Sequence, residues 1–202
     1  MKNLFNFKRS SFTFVVLLSA AFLLTFTSCE KDDISVNDSN TTQLKKGSRA
    51  PAPGDLAIAA IAIDAGFSEL VEALVYVDEE LDAGLVDLFL NGTDQYTVFA
   101  PTNVAFENLY GALEIDDITD LPADFVLDVL LYHVTEGRRA ANSVVPKKNP
   151  KTIETLQGAI FEVYPDLEIM AVGNTANIVI ADISASNGII HVIDAVILPI
   201  VP

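Results

Sequence analysis

Cationic side chains are scarce in this chain of 202 residues: 12 Lys and Arg stand against 28 Asp and Glu, a formal net charge of −16. Past residue 54 the shortage sharpens. Residues 55–202 hold 24 acids and five bases, and all five bases, Arg138, Arg139, Lys147, Lys148 and Lys151, fall in one short stretch. A domain this acidic repels phosphate backbones, which excludes nucleic acid as a partner. There is a single cysteine, Cys29, so no internal disulfide can form. The two histidines, His133 and His191, fall short of the three or four ligands a zinc site takes. The chain also lacks G-x-S-x-G, a phosphate-cradling glycine loop and H-E-x-x-H. The reading is non-catalytic, with no cofactor and no metal.

What is present begins with an amino-terminal address. Lys2, Lys8 and Arg9 precede the uncharged run "SFTFVVLLSAAFLLTF", which ends in small residues before Cys29. That order marks residues 1–28 as a secretory signal and not a membrane span, because charged residues follow at once. The segment around Cys29 resembles the lipobox of bacterial lipoproteins, with Phe26 standing where Leu is usual. The resemblance implies cleavage before Cys29, acylation of its thiol and attachment to the cell outer membrane. "CEKDD" is similar to the acidic export signal of Bacteroidetes surface lipoproteins, which implies a surface-exposed anchor. Residues 29–54, rich in Ser, Thr, Asn, Lys and Pro, cannot bury enough apolar surface to order themselves and are expected to be a flexible tether.

Residues 55–202 suit one domain. From Asp55, an expected N-cap, to Gly92 the spacing of Phe67, Leu70, Val71, Leu74, Leu85, Leu88 and Phe89 is helical. "YTVFAP" alternates, and Pro101 then removes the amide a ladder needs. Thr102 or Asn103 is placed to cap a following helix whose inner face is Ala105, Phe106 and Leu109. Pro122 lies near the first turn of another helix, with Phe125, Val129, Leu130 and Tyr132 or His133 inward. Strands follow: "GAIFEVYP", "LEIMAV", "NIVIADIS" and "GIIHVIDAVILPIV". Asn187-Gly188 reads as a hairpin turn into the last of them. Both faces of that strand are apolar, so it belongs at the sheet centre, and a charge at Ile193 is expected to unfold the domain. Helices first and strands later indicate a segregated α+β fold.

Three stretches, "TVFAPTNVAF" (Thr97–Phe106), "LLYHV" (Leu130–Val134) and "NGIIHVIDAVILP" (Asn187–Pro199), together resemble the signatures of the fasciclin (FAS1) domain family. The resemblance covers about residues 55–200. It implies a β-sandwich or wedge with several flanking helices, on proteins mostly secreted or membrane-anchored and linked to cell adhesion. It further implies a binding role for the Tyr132-His133 segment, which animal members associate with integrin recognition.

Several candidate sites follow. His133 and His191 read as core histidines with satisfied rings, and Thr102, Asn103, His191 and Asp194 as structural residues. Asp194 is a candidate contact of Thr102, Asn103 or His133. Arg138, Arg139, Lys147 and Lys148 could steer an acidic partner or an anionic glycan. The acidic runs "DEELD" (Asp78–Asp82) and "EIDDITD" (Glu114–Asp120) lack the EF-hand ligand pattern and read as solvated surface. The expected function is a surface adhesion or binding module for an extracellular protein or glycan. Two alternatives remain: a carrier of an apolar small molecule such as a carotenoid, lined by Phe99, Phe106, Tyr132 and His133, and an accessory protein of polysaccharide uptake.

Overall fold

The computed structural model describes residues 52–200. The expected signal, the acylated Cys29 and nearly all of the tether lie outside them. The helical stretch after Asp55 forms three helices: α1 (Ile58–Asp64), α2 (Ser68–Leu81) and α3 (Leu85–Asn91). Then come β1 (Tyr96–Pro101), α4 (Asn103–Leu113), a 3-10 turn (Ile118–Asp120), α5 (Ala123–Tyr132), β2 (Val134–Glu136) and the one-turn α6 (Ala141–Val144). The last part of the chain is β3 (Lys151–Glu154), β4 (Ile160–Val163), β5 (Glu168–Met170), β6 (Thr175–Ala185) and β7 (Gly188–Ile193). The α+β expectation holds. Among the described residues no helix is long and apolar enough to cross a membrane.

All seven strands join one sheet in the order β2-β1-β7-β6-β5-β4-β3. Only β1 and β7 run parallel, in register from Tyr96 opposite Gly188 to Pro101 opposite Ile193. Every residue of β7 is buried, as its two-faced apolar pattern requires. The sheet does not lie flat. Phe99 on β1 and Phe161 on β4, four strands apart, stack edge-to-face with ring centroids 5.0 Å apart. The chain just past β3 closes on β2 through the Leu156 amide, which donates to Val134 O at 2.8 Å. The curl passes through β6, which pairs with β5 at its start and β7 at its end. β6 carries two register shifts, and Asp182 beside them sits at φ +64.

The curled sheet has a core on each face. Val98, Ala100 and Ile190 face the helices and pack with Leu70, Leu74, Val77, Phe89, Phe106, Val126 and Leu130. Phe99 and Ile193 face the inside of the curl and pack with Tyr132, Ile153, Phe161, Val163, Ile169 and Ile197. Fully burying such side chains contributes roughly 1.5–3 kcal/mol each. The helix cap forms as expected, with Thr102 Oγ1 accepting from the Ala105 amide at 3.2 Å, but Pro101 does not end the ladder: it pairs with Ile193, and the Thr102 amide donates to Ile193 O at 3.1 Å.

Two local expectations change. Asp55 does not cap α1: Ala57 occupies the N-cap without a side-chain bond, and Asn187 Oδ1 accepts the Ile58 amide at 2.8 Å. Pro122 stands at the N-cap of α5, beside the first turn as expected. The β6–β7 turn is made by Ser186 and Asn187, with Gly188 already paired to Ala185. Neither turn residue has a positive φ, so the Asn-Gly signal is misplaced by one. Gly188 is needed for close approach instead. A Cβ there would meet Tyr96 O at 2.2 Å.

Candidate functional site

His133 closes α5 as its C-cap and is buried to 2 % exposure. The Ile197 amide donates to its Nε2 at 3.0 Å, so the proton resides on Nδ1, which donates to Val129 O at 2.6 Å. Burial pulls its pKa down to about 4, and the ring is neutral. His191 is handled alike. The Asp182 amide donates to Nδ1 at 3.3 Å, and Nε2 donates to Arg139 O at 2.9 Å. Desolvation lowers its pKa as well. Both rings serve backbone groups and neither is turned toward the other's partners. Among the described residues no group of three or more His, Cys, Asp or Glu could hold a metal ion.

Tyr132 is fully buried. Its hydroxyl donates to Ile160 O at 2.8 Å and accepts from the Val172 amide at 3.4 Å, tying α5 to the far wing of the sheet. The side chains of Tyr132 and His133 therefore face the interior and present no surface to a partner. Nor do Phe99, Phe106, Tyr132 and His133 share a wall. Phe99 and Tyr132 belong to the inner core and Phe106 to the helix-side core. The apolar gaps between the helices measure about 20 and 30 Å³, room for a water or two and not for a carotenoid.

The polar signature residues act over long sequence distances. Asn103 does not cap its own helix. Its Nδ2 donates to Gly66 O and Ser68 Oγ, each at 3.0 Å, and its Oδ1 accepts from the Glu69 amide at 3.3 Å, so it caps α2 from α4. Asn187, at the turn, also donates from Nδ2 to Phe89 O at 3.0 Å and thereby joins the start of α1 to the end of α3. The expected contact between Asp194 and Thr102, Asn103 or His133 is not made. Asp194 lies past the end of β7, where its carboxylate accepts from the Asn177 amide at 2.6 Å and Asn177 Nδ2 at 3.0 Å. The acidic runs cap as well as solvate. Asp78 accepts the Leu85 and Val86 amides, each at 2.8 Å, and Asp117 and Asp120 form a capping box on the 3-10 turn.

The basic residues divide. Arg138 spends its guanidinium on the fold: it donates to Ala185 O at 2.8 Å, Gly188 O at 2.5 Å, Ala52 O at 3.2 Å and Ser184 Oγ. It staples the β6–β7 hairpin to the incoming chain, so it is not available to steer a glycan. Lys147 and Lys148 are exposed. Arg139 is held from both sides. Its amide donates to Thr97 Oγ1 at 2.8 Å and its carbonyl accepts from His191. Thr97 Oγ1 in turn donates to Gly137 O at 2.7 Å, and Asp182 Oδ1 accepts the Ala141 amide at 2.7 Å. Residues 137–141 are thus pinned across the sheet by Thr97, His191 and Asp182, and they deliver Arg139 to the rim of a cleft. That cleft, about 300 Å³, is lined by Thr135, Glu136, Arg139, Glu154, Thr155, Leu156 and Gly158. Sequence reading found Arg139 through its charge. It missed the rest, because the cleft exists only once the sheet has curled.

Comparison with known proteins agrees with this architecture. The Fasciclin domain model matches residues 65–199. Immunogenic protein MPB70 of Mycobacterium bovis is 38% identical over 115 residues, 57% of this chain and 54% of that protein. The cell surface glycolipoprotein MPB83 of the same species is 39% identical over 119 residues, 58% of this chain and 49% of its own. The chain thus spans about half the length of these two relatives. Protein sll1483 of Synechocystis sp. is 33% identical over 170 residues, covering 82% of this chain and 87% of that protein.

Proposed function

The chain belongs to the fasciclin domain family, and from that premise we propose that it is a non-catalytic binding module displayed at the cell surface. In this reading the signal over residues 1–28 is cleaved, acylated Cys29 anchors the chain in the outer membrane, and the segment up to residue 54 holds the domain away from the lipid. The acidic domain then engages an extracellular protein or glycan. The observation that carries the reading is how the signature residues are employed. Tyr132, His133, His191 and Asn187 are buried and bonded to backbone groups. Residues used in this way build a scaffold, and recognition is left to the surface around it. MPB83, named a cell surface glycolipoprotein, offers a parallel for display.

Acyl chains contribute about 0.8 kcal/mol per buried CH2, so two or three of them anchor stably. Mass spectrometry of the amino terminus of the cell-associated protein tests the anchor, with acylated Cys29 as the expected first residue. C29S is expected to be shed into the medium. An unmodified Cys29 on a protein that still pellets with membranes contradicts the anchor. Protease shaving of intact cells tests display: the domain is expected to be removed, and full protection contradicts exposure.

A further inference from the structure

The outer face of the wing formed by β3, β4, β5 and β6 carries apolar side chains that neither core uses. Ile160, Met170 and Val172 are 52, 43 and 51 % exposed, and none belongs to the clusters on the two sides of the sheet. They are neighbours. Glu162 pairs with Met170, so the antiparallel register carried one pair further sets Val172 against Ile160. The Tyr132 hydroxyl touches both backbones from below, donating to Ile160 O at 2.8 Å and accepting from the Val172 amide at 3.4 Å. On the outer face the Tyr164 hydroxyl donates to Glu162 Oε2 at 3.3 Å and lies 3.8 Å from Met170 Sδ. The alternate residues Phe161, Val163 and Ile169 point inward and are buried. An antiparallel sheet with one face in water is expected to carry polar residues outward, and a contiguous apolar patch there marks an interaction surface.

The charges around the patch say what fits it. Glu154 stands opposite Ile160, Glu162 opposite Met170, and Glu168 two residues before Met170 on the same side of β5. From residue 151 to residue 185 the one cation is Lys151. It is in register with buried Val163, on the inner side of the sheet, and its Nζ donates to Ser143 O. The patch lies on a face and not on an edge, so an occupant engages side chains, as a helix laid on a sheet does. Adjacent strands lie about 4.8 Å apart, and the side chains of two of them make a stripe about as wide as one helix. We propose that this face docks a cationic amphipathic helix, its apolar stripe on Ile160, Met170 and Val172 and its Lys or Arg residues along the flanking carboxylates. A second copy would set the same carboxylates against each other, and an anionic lipid surface is repelled by the acidic domain. The surface rests on the reading of the chain as a displayed binding module and gives that module a binding face and a partner class.

The test titrates the isotopically labelled full chain with a synthetic Leu/Lys peptide patterned at the helical period of about 3.6 residues, read by NMR. The peptide is expected to shift the Met170 methyl and the amides of residues 160–162 and 168–172, and to leave those of β1 and β7 in place. A scrambled isomer of the same composition, which keeps the charge and loses the stripe, is expected to bind roughly tenfold more weakly. I160T and V172T together, at exposed positions the cores do not use, are expected to weaken the patterned peptide roughly tenfold and leave the isomer unchanged. E154Q with E162Q is expected to weaken both peptides roughly threefold at low salt. The proposal is overturned if the peptide does not bind, if its shifts spread over the whole acidic surface, or if the isomer or the double Thr variant binds as the parent pair does. Concentration-dependent shifts of this face without peptide would assign it to a second copy, and shifts on adding phosphatidylcholine vesicles to a lipid surface; either result also overturns it. Surface display by protease shaving is scored separately, so loss of this face leaves that reading standing.

Discussion

On the helix side of the β1–β7 pair, Leu70, Ala73, Phe106, Val126 and Val129 border one apolar gap, and Leu74, Leu85, Phe89 and Val98 border another. On the inner side, Phe99, Phe161 and Tyr132 interlock edge-on, with centroids 5.0 and 5.8 Å apart, and no residue of that cluster lines either gap. The same two strands feed both cores, so the contrast comes from what packs against them. Short helices meet the sheet as separate rods and leave room at their crossings. The curled sheet brings strands from both of its ends onto one cluster, where a few aromatic rings fill the space. Removing volume is therefore expected to cost more inside the curl, and adding volume to cost less among the helices.

The largest difference is expected from truncation. F161A should lose about 4 kcal/mol and L74A about 2–3 kcal/mol, because the helices can relax into a cavity and the curl cannot. Urea unfolding of both variants checks this, and a larger loss for L74A would reverse the comparison. N187A follows, at about 3 kcal/mol. It strands the Ile58 amide and Phe89 carbonyl and so cuts α1 and α3 from the hairpin. N187D should recover part of the loss, since Oδ1 survives and the Nδ2 donor does not.

A pH effect of about 2 kcal/mol comes next. His133 titrates near 4 in the folded protein and near 6.5 when unfolded. As pH falls below 6.5 the unfolded chain takes the proton first. Stability is fully present above that pH and declines toward pH 4, by about 2 kcal/mol at a pH of roughly 5. His191, lowered by burial too, adds in the same direction. Urea midpoints across this range check the slope, and a flat profile would mean that the rings are solvated. The smallest contrast is V126I against V163I. The first should change stability by less than about 0.5 kcal/mol by growing into a gap, while the second should lose about 1–2 kcal/mol to overpacking.

The elements that sequence reveals are those whose cause is local. Alternation in "YTVFA" and the cap at Thr102 lie within a few residues of their effects and appear where expected, whereas Pro101 does not stop the ladder: it pairs with Ile193 inside β1, and the next amide, Thr102, still donates to Ile193 O. The two-faced pattern of Ile189–Ile193 announced a central strand for the same reason. What stayed hidden are side chains whose partners come from another element. Asn187 reads as a turn residue until α1 and α3 arrive beside it, and Asn103 as a cap of α4 until α2 does. Arg138 reads as a surface charge, yet its partners are carbonyls some 50 residues away. Of the cleft, only Arg139 was legible. Thr135 and Glu154 meet there because β2 and β3, at opposite ends of the sheet order, are brought together by curvature that no local pattern records.

If β1 and β7 are the spine that both cores share, their amides cannot open unless both cores come apart. Native-state hydrogen exchange measures this directly. Amides of Thr97–Ala100 and Ile189–Ile193 are expected to exchange only with the opening free energy of global unfolding, matched to the value from urea, while amides of α1 and α3 open at lower cost. Exchange from β1 or β7 well below the global value, with the helices still protected, would contradict a shared spine.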